Sequence, residues 1–243
     1  MRIAEGVEML ELAEEGAAEG HAFCAALIWD EKDAVLVDTG VPGMLPVLKK
    51  ALEKAGVPFP MINRVFITHH DFDHLGGLPE ILETAEKKVE VLAHEAEKPY
   101  IEGKKNLLVK LEKVTKMLPA AEREKEINTY LSRQTVTVDT VVADGQELPY
   151  CGGITAIHTP GHTPGHLCLY VKKAKTLIAG DSTVAQDGRL AGPIDLFTVD
   201  MQEAYKSLAK LAEYDIENVI CYHGGLVRGN IKEQIMELVK RTK

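Results

Sequence analysis

The chain has 243 residues, of which 45% are hydrophobic, and a formal net charge of −9 at pH 7. This length suffices for one large hydrophobic core, so we predict a single domain over residues 1–243. The acidic balance argues against a nucleic-acid backbone or an anionic membrane surface as the main partner, because both would repel the protein. A small-molecule substrate fits this composition better.

The cysteines and the N-terminal segment indicate where the protein works. The four cysteines are scattered among apolar residues without a C-x-x-C pair, so we interpret them as buried structural thiols. Residues 1–21 contain no apolar run typical of a signal peptide, and no 18 consecutive residues are apolar. We therefore expect a cytoplasmic protein with no membrane partner. We also expect a homodimer, on the general ground that dimers are common among soluble enzymes.

Short apolar runs separated by turn signals dominate the first third of the chain. They predict strands at 7–12, 23–30, 34–40 and 64–68. Residues 43–55 place leucines at helical intervals before Gly56, which predicts a helix that ends on a glycine. A second helix is predicted at 76–85.

Residues 98–133 form a charged helical insertion with a different character. Its nine Lys and Arg residues against five Glu give a local charge of +4 in an acidic chain. One apolar stripe is predicted along it, formed by Leu107, Leu108, Leu111, Val114, Met117 and Leu118. The segment is either a solvated helical hairpin or a lid over a site.

The second half repeats the β-rich pattern of the first. Strands are predicted at 154–159, 167–171, 176–181 and 219–225, with helices near 201–214 and 230–242. Two β-rich halves, each with outer helices, predict an α/β fold arranged as a four-layer αββα sandwich, in preference to a doubly wound parallel sheet.

A dense group of possible metal ligands follows the predicted strand at 64–68. His69, His70, Asp71, Asp73 and His74 fall within six residues. In an extended loop, residues two apart point the same way, so the side chains at 69, 71 and 73 converge while that at 74 reaches in from the turn. Imidazole and carboxylate are ligands that Zn, Fe and Mn accept. The alternative is an ordinary helix N-terminus with an aspartate as its N-cap, which this density disfavours.

Further candidates lie in the second half, each at the end of a predicted strand. They are His162 in HTPGHTPGH, Asp181 in IAGDS and His223 in CYHGG. Strand ends beside glycine-rich turns are positions from which a rigid sheet presents ligands.

Five segments in this order resemble the metallo-β-lactamase superfamily of metallo-hydrolases: VDTG, THHDFDHLGG, TPGHTPGH, AGD and YHGG. The resemblance covers residues from about 23 to 226 and implies the αββα fold with a dinuclear metal site. It also implies a hydrolase in which a hydroxide bridging the metals attacks an ester, thioester, lactone or phosphoester of a small molecule.

The resemblance implies a ligand set when it is carried over position by position. The first metal would be held by His69, the residue at 71 and His162. The second would be held by Asp73, His74 and His223, with Asp181 bridging. The commonest family pattern has histidine at position 71, and this chain has Asp71 there. We take Asp71 as the ligand, because using the neighbouring histidine requires a one-residue slip.

The aspartate at position 71 changes the charge of the site. Three aspartates and a hydroxide place four negative charges against two divalent cations, which gives a net charge of zero instead of +1. We expect zinc, with iron or manganese as plausible occupants of this oxygen-rich site. The flavodiiron proteins also resemble this pattern, so a di-iron oxidoreductase is an alternative, although 243 residues leave no flavodoxin-like domain. A non-catalytic metal-binding protein is the further alternative.

Other residues receive secondary roles. Asp73 and Asp181 are the candidate catalytic groups, since either can carry a proton to the leaving group. Asp38 is expected to orient the site without binding metal, and His166 to pack or hydrogen-bond beside it.

His158 is interpreted as structural, and no role is given to His21 or His94. The basic insertion suggests an anionic substrate near Lys104, Lys105, Lys110 or Lys113.

The substrate itself is not readable from the sequence. Lactonases of the superfamily place a tyrosine three residues after the bridging aspartate, where this chain has Val184. Hydroxyacylglutathione hydrolases add a C-terminal helical domain, and only about 20 residues follow His223 here. True β-lactamases are typically exported, whereas residues 1–21 of this chain contain no apolar run typical of a signal peptide.

Overall fold

The computed structural model describes residues 1–13 and 22–242, so His21 lies outside the described residues. Seven strands come first: β1 (Arg2–Ala4), β2 (Val7–Leu12), β3 (Phe23–Trp29), β4 (Ala34–Val37), β5 (Arg64–Phe66), β6 (Glu90–His94) and β7 (Thr140–Val142). Eight more follow: β8 (Glu147–Leu148), β9 (Ile154–His158), β10 (Leu167–Val171), β11 (Thr176–Gly180), β12 (Val184–Gln186), β13 (Arg189–Ala191), β14 (Asn218–Cys221) and β15 (Gly225–Arg228).

The strands form two large sheets and one hairpin. The first sheet has the order β1-β2-β3-β4-β5-β6-β7, antiparallel up to β4 and parallel from β4 to β7. The second has the order β15-β14-β11-β10-β9-β8, in which only β11 and β14 run parallel. The hairpin pairs β12 with β13.

The α-helices flank these sheets. They are α1 (Leu45–Ala55), α2 (Phe72–Leu75), α3 (Leu78–Thr84), α4 (Lys98–Ile101), α5 (Leu108–Thr115), α6 (Ala120–Leu131), α7 (Met201–Leu211) and α8 (Ile231–Val239). Within the described ranges, no helix has both the length and the apolar character needed to cross a membrane.

Three hydrophobic clusters separate four layers. The first joins α1 and α3 to the outer face of the seven-stranded sheet, through side chains such as Leu48 and Ile81. The second lies between the two sheets, and the third joins the six-stranded sheet to α7 and α8. Because alternate residues of a strand point to opposite faces, Met9 belongs to the middle cluster and Leu10 to the first. The predicted αββα sandwich is therefore confirmed.

Several predicted boundaries were wrong. The run at 219–225 is not one strand, since β14 ends at Cys221 and β15 begins at Gly225 after a turn. Gly224 and Gly225 have positive φ values of 89° and 90°, which glycine adopts without strain and which turn the chain there. The second predicted helix, at 76–85, is confirmed as α3, whereas the short helix α2 just before it was not predicted.

The insertion contains three helices, and its predicted apolar stripe was wrong in part. Met117 is 86% exposed and Leu108 46% exposed, whereas Lys110 is buried. The helical spacing was interpreted correctly, but helix α5 turns its lysine inward because the site offers that lysine a carboxylate partner, as described below.

Candidate metal centre

The predicted ligands lie where strands end. Residues 69 to 74 follow β5, Asp181 directly follows β11, and His223 follows β14. His162 comes from the loop after β9. The parallel pairing of β11 with β14 brings two of these strand ends to the same edge. The rigid sheets thereby present ligands from both halves of the chain to one place.

Two glycines after His74 allow the ligand loop to pack closely. A Cβ atom at Gly77 would stand 2.3 Å from the carbonyl oxygen of Thr39, and one at Gly76 would stand 2.4 Å from the carbonyl oxygen of Phe72. The Thr39 backbone N–H also donates to the carbonyl oxygen of His74 at 2.8 Å. Any larger residue at position 77 would push α2 away from β4 and displace the ligands that α2 carries.

The first group of possible ligands consists of His69, Asp71, His162 and Asp181, whose donor atoms lie within 4.8 Å of one another. Asp71 Oδ2 is 3.1 Å from His162 Nε2 and 3.4 Å from His69 Nε2. Asp181 Oδ2 is 3.5 Å from His162 Nε2. Both histidines are buried. This group therefore has the mixed imidazole and carboxylate donors that the sequence predicted for one metal.

The second group consists of Asp73, His74 and His223. Asp73 Oδ2 is 3.2 Å from His223 Nε2 and 3.8 Å from His74 Nε2. Asp181 Oδ1 is 3.1 Å from His74 Nε2, and its Oδ2 is 3.5 Å from His223 Nε2. Asp181 thus lies between the two groups, in the position expected of a bridging residue. Residues 69 and 71 belong to the first group, whereas residue 73, in the single turn of α2, belongs to the second.

Unpaired buried atoms show that both groups fit cations. Among the described residues, the buried atoms His69 Nε2, His74 Nε2 and Asp181 Oδ1 make no hydrogen bond of proper geometry, although the last two lie 3.1 Å apart. Buried polar atoms are normally paired, so three such atoms in one cluster call for an electrophile between them. Asp71 stands at the N-cap of α2 but makes no capping hydrogen bond with its side chain. The side chain turns toward the cluster instead, which disfavours the simple helix-capping interpretation.

Asp38 holds the second group from behind, as predicted. It is buried, and its Oδ2 lies 2.8 Å from His74 Nδ1. It also accepts hydrogen bonds from the backbone N–H of Thr68 at 2.9 Å and from the Thr68 hydroxyl at 2.8 Å. A proton on His74 Nδ1 donates to this carboxylate, so Nε2 is the atom that can bind a cation once its own proton has left.

His166 supports the bridging position and does not bind metal itself. Its Nε2 accepts a hydrogen bond from the backbone N–H of Asp181 at 3.0 Å, and its Nδ1 is 2.8 Å from the Thr159 hydroxyl. Burial lowers the pKa of His166 to about 3, so the ring is neutral. Both ring nitrogens are engaged, in agreement with the predicted hydrogen-bonding role.

His70 faces away from the cluster and pairs with a residue that the sequence did not reveal. Glu97 is fully buried, contacts His70 Nδ1 and accepts a hydrogen bond from the His70 backbone N–H at 3.0 Å. It also accepts from the Thr163 hydroxyl at 2.6 Å and from the Gly165 N–H at 2.7 Å. Glu97 therefore ties the first ligand loop to the loop that carries His162. The preference for Asp71 over His70 agrees with this geometry.

Helix α5 covers the first group through Lys110. The Lys110 ammonium contacts Asp71 Oδ2 and lies 3.0 Å from His162 Nε2. Burial opposes the ionisation of Asp71, but Lys110 and His69 together hold the pKa of that carboxyl well below its ordinary value. The lid interpretation of the insertion is supported here. Lys104, in contrast, does not contact the ligand groups, since it pairs with Glu102 at 2.5 Å on the exposed surface.

The electrostatics of the cluster couple cation binding to proton release. Burial lowers the pKa of His69 well below its ordinary value. Burial also disfavours a charged His74, but Asp181 and Asp38 raise its pKa well above the ordinary value. Against burial, Asp181 and Asp73 raise the pKa of His223 to about 9. Two imidazoles thus hold protons beside the carboxylates, and an arriving cation must displace them.

His94, His158 and the cysteines make structural contacts. His94 and His158 stack with ring centroids 4.0 Å apart, and His158 Nε2 is 3.0 Å from the carbonyl oxygen of Pro164. Cys24, Cys168 and Cys221 are buried and all four cysteines are free. Burial raises the pKa of the Cys168 thiol to about 11. The prediction of buried thiols holds for these three, while Cys151 is half-buried.

The fold and the two ligand groups define a metal-binding α/β protein built from a double β-sheet. A model of the metallo-beta-lactamase superfamily matches residues 25–223. The chain belongs to this superfamily.

Individual relatives agree with that assignment. The probable metallo-hydrolase YflN of Bacillus subtilis (strain 168) is 31% identical over 226 residues, which cover 85% of this chain and 81% of the relative. A hydroxyacylglutathione hydrolase of Salmonella gallinarum is 28% identical over 216 residues, which cover 87% of this chain and 66% of that enzyme.

Solved structures share the fold. A metallo-beta-lactamase family protein from Thermus thermophilus superposes with a TM-score of 0.71 at 19% identity, covering 99% of this chain and 80% of that one. An archaeal superfamily protein from Sulfolobus tokodaii gives a TM-score of 0.67 at 22% identity, covering 97% of this chain and 85% of the other. At these identities the structures support the fold alone. Membership of this superfamily implies divalent metal ions, for which the two ligand groups are the candidate sites.

Proposed function

We propose that the protein hydrolyses a small-molecule ester, thioester, lactone or phosphoester at a two-metal centre. The observation that carries the proposal is that Asp181 lies between two complete ligand groups whose unpaired atoms face inward. The proposed ligands are His69, Asp71 and His162 for one cation and Asp73, His74 and His223 for the other, with Asp181 shared.

The cations, when bound, would polarise the scissile group and lower the pKa of a water molecule from 15.7 to about 7. The protein's own residues have separate tasks. Asp38 fixes the ring of His74, and His166 fixes the backbone of Asp181. Asp73 or Asp181 would carry a proton to the leaving group. The Asp73 side chain, which is 29% exposed and borders a cavity, has the better access to a substrate.

The charge of the site bears on the metal. Asp71, Asp73 and Asp181 supply three carboxylates, and an oxygen-rich donor set reduces the advantage of zinc over iron and manganese. Lys110 returns one positive charge beside Asp71. We propose zinc as the working cation, with iron or manganese as alternatives to be separated by metal analysis.

Two observations bear on the chemical class of the substrate. The similarity to a hydroxyacylglutathione hydrolase supports a thioester. An anionic substrate remains a prediction from the basic insertion, in which Lys113 pairs with Asp195 at 3.5 Å.

A panel assay tests the proposal. Zinc-loaded protein is offered thioesters, lactones, carboxylic esters and phosphodiesters, and at least one class should turn over. Asp181→Asn should abolish that turnover, while Glu86→Gln, on the exposed surface, should retain it. Oxygen consumption by an iron-loaded protein that hydrolyses nothing would instead indicate the di-iron oxidoreductase. Metal binding without either reaction would indicate a non-catalytic protein.

A further inference from the structure

A cavity of about 160 Å³ opens onto the ligand groups beneath the insertion. Asp71 and Asp73, one from each group, lie at its floor. Its walls come from α2, from α5 and the residue before it, from α6 and from the turn at 195–197. They are mainly apolar: Phe72, Leu107, Leu111, Val114, Tyr130 and Phe197.

The charged groups of this cavity already have partners. The Lys110 ammonium contacts Asp71, and the His70 ring contacts Glu97. Among the described residues that line the cavity, no positively charged side chain is left unpaired to receive an anionic part of a substrate. Of the polar groups in the lining, the Tyr130 hydroxyl is buried without a hydrogen-bond partner. An anionic group would therefore lose its hydration here and gain at most one neutral donor from the lining, which is unfavourable. An apolar group would lose only unfavourable contact with water.

The volume sets the size of the group. An apolar protein cavity of about 150 Å³ accommodates benzene, and this cavity has a similar volume of about 160 Å³. Phe72 and Phe197 are each 38% exposed, so the two rings form an open apolar mouth through which a ligand can enter.

We propose that this cavity is a specificity pocket for an uncharged apolar group of about the size of one phenyl ring, close to the scissile bond of the substrate. The inference rests on the proposed hydrolase function, since the floor of the pocket is the metal centre. It separates this protein from enzymes selective for a polar, multiply charged tripeptide thioester such as a glutathione conjugate.

Two substrate series test the proposal with zinc-loaded protein. The first varies the acyl group on 2-mercaptoethanol thioesters: acetyl, phenylacetyl and succinyl. The second keeps the acetyl group and compares the 2-mercaptoethanol thioester with the benzyl thioester, which places the ring on the other side of the bond. Released thiol is measured in both. If no thioester reacts, the corresponding oxygen esters are followed by proton release.

We expect kcat/KM to rise at least about tenfold when a phenyl ring is added in one of the two series, and the succinyl substrate to gain nothing. Val114→Trp, which fills the pocket, should abolish this preference. Val109→Trp is the matched control, because Val109 lies on the same helix, is 70% exposed and does not line the cavity. If Val114→Trp does not fold, Phe197→Ala, which widens the pocket, should weaken the preference as well.

Binding of a non-hydrolysable probe separates the two proposals. Phenylacetamide and acetamide are compared by saturation-transfer NMR on the wild type and both tryptophan variants, and only phenylacetamide should bind, in a manner lost in Val114→Trp. Such binding without hydrolysis of any ester would uphold the pocket and overturn the hydrolase. Hydrolysis without a preference for the phenyl group, or with a preference for the succinyl substrate, would overturn the pocket and uphold the hydrolase.

Discussion

Replacing Asp38 by asparagine should weaken both the fold and the metal centre. The residue has a φ of 62°, and asparagine tolerates this left-handed conformation as well as aspartate does, so the backbone is not strained by the change. The substitution removes a charge and exchanges one acceptor oxygen for an NH₂ donor. The structure allows that donor two positions, and both are unfavourable.

If the NH₂ group faces the backbone N–H of Thr68, a buried donor loses the partner that it now has at 2.9 Å. Leaving such a donor unpaired costs about 1–3 kcal/mol. If the NH₂ group faces His74, the ring must accept at Nδ1 and carry its proton on Nε2, the atom directed at Asp181. A protonated Nε2 cannot bind a cation, and losses of about 10- to 100-fold in metal affinity are typical for such supporting residues.

The assay combines urea unfolding of the metal-free protein with zinc competition against a chromogenic chelator. Asp187→Asn is the matched control, because Asp187 also has a positive φ, of 51°, but is exposed on a hairpin. Equal unfolding free energies and equal zinc affinities in the two variants would refute the role given to Asp38.

Three further predictions follow from buried groups near the site. Burial opposes the ionisation of Glu97, but its contacts with His70 and its hydrogen bonds lower its pKa from 4.5 to about 2. Because the pKa is lowered in the folded state, the ionised carboxylate stabilises the fold above pH 4.5. This stabilisation is lost as the pH falls toward 2. The stability deficit of Glu97→Gln, on the order of 3 kcal/mol at pH 7, should therefore vanish across that window in acid unfolding curves, and a constant deficit would contradict this. Gly77→Ala should lower the unfolding free energy by about 1–3 kcal/mol in urea titrations, because its Cβ would stand 2.3 Å from a backbone carbonyl oxygen; an unchanged midpoint would show that the loop can move. Lys110→Met should destabilise the metal-free protein by on the order of 3 kcal/mol, because Asp71 loses its counter-charge. In thermal melts, zinc should restore most of the lost stability. The same stability deficit with and without zinc would rule out the pairing of Lys110 with Asp71.

Local patterns carried most of the predicted fold. The helical periods identified the four helices that cover the outer faces of the two sheets, namely α1, α3, α7 and α8. Helix α1 ends on Gly56 with a φ of 77°, as its sequence predicted. The positions of the seven candidate ligands followed from strand ends and from the family resemblance. Their assignment to two groups could be taken only from the resemblance, because it depends on how the ends of β5, β11 and β14 meet.

Non-local pairs could not be predicted. Glu97 lies 27 positions from His70 and 66 from Thr163, and nothing in its own segment marks it as buried. Lys110 sits among leucines on an amphipathic helix, where its long side chain would ordinarily reach solvent. Only the placement of Asp71, 39 positions earlier, explains why it turns inward.

The position and number of bound metal ions test the central claim most directly. Crystals of protein purified with zinc are measured above and below the zinc absorption edge, and anomalous difference maps locate each ion. The account predicts two peaks per chain, one among His69, Asp71 and His162 and the other among Asp73, His74 and His223, with Asp181 touching both. A single peak, or zinc bound away from these residues, would contradict the two-metal centre.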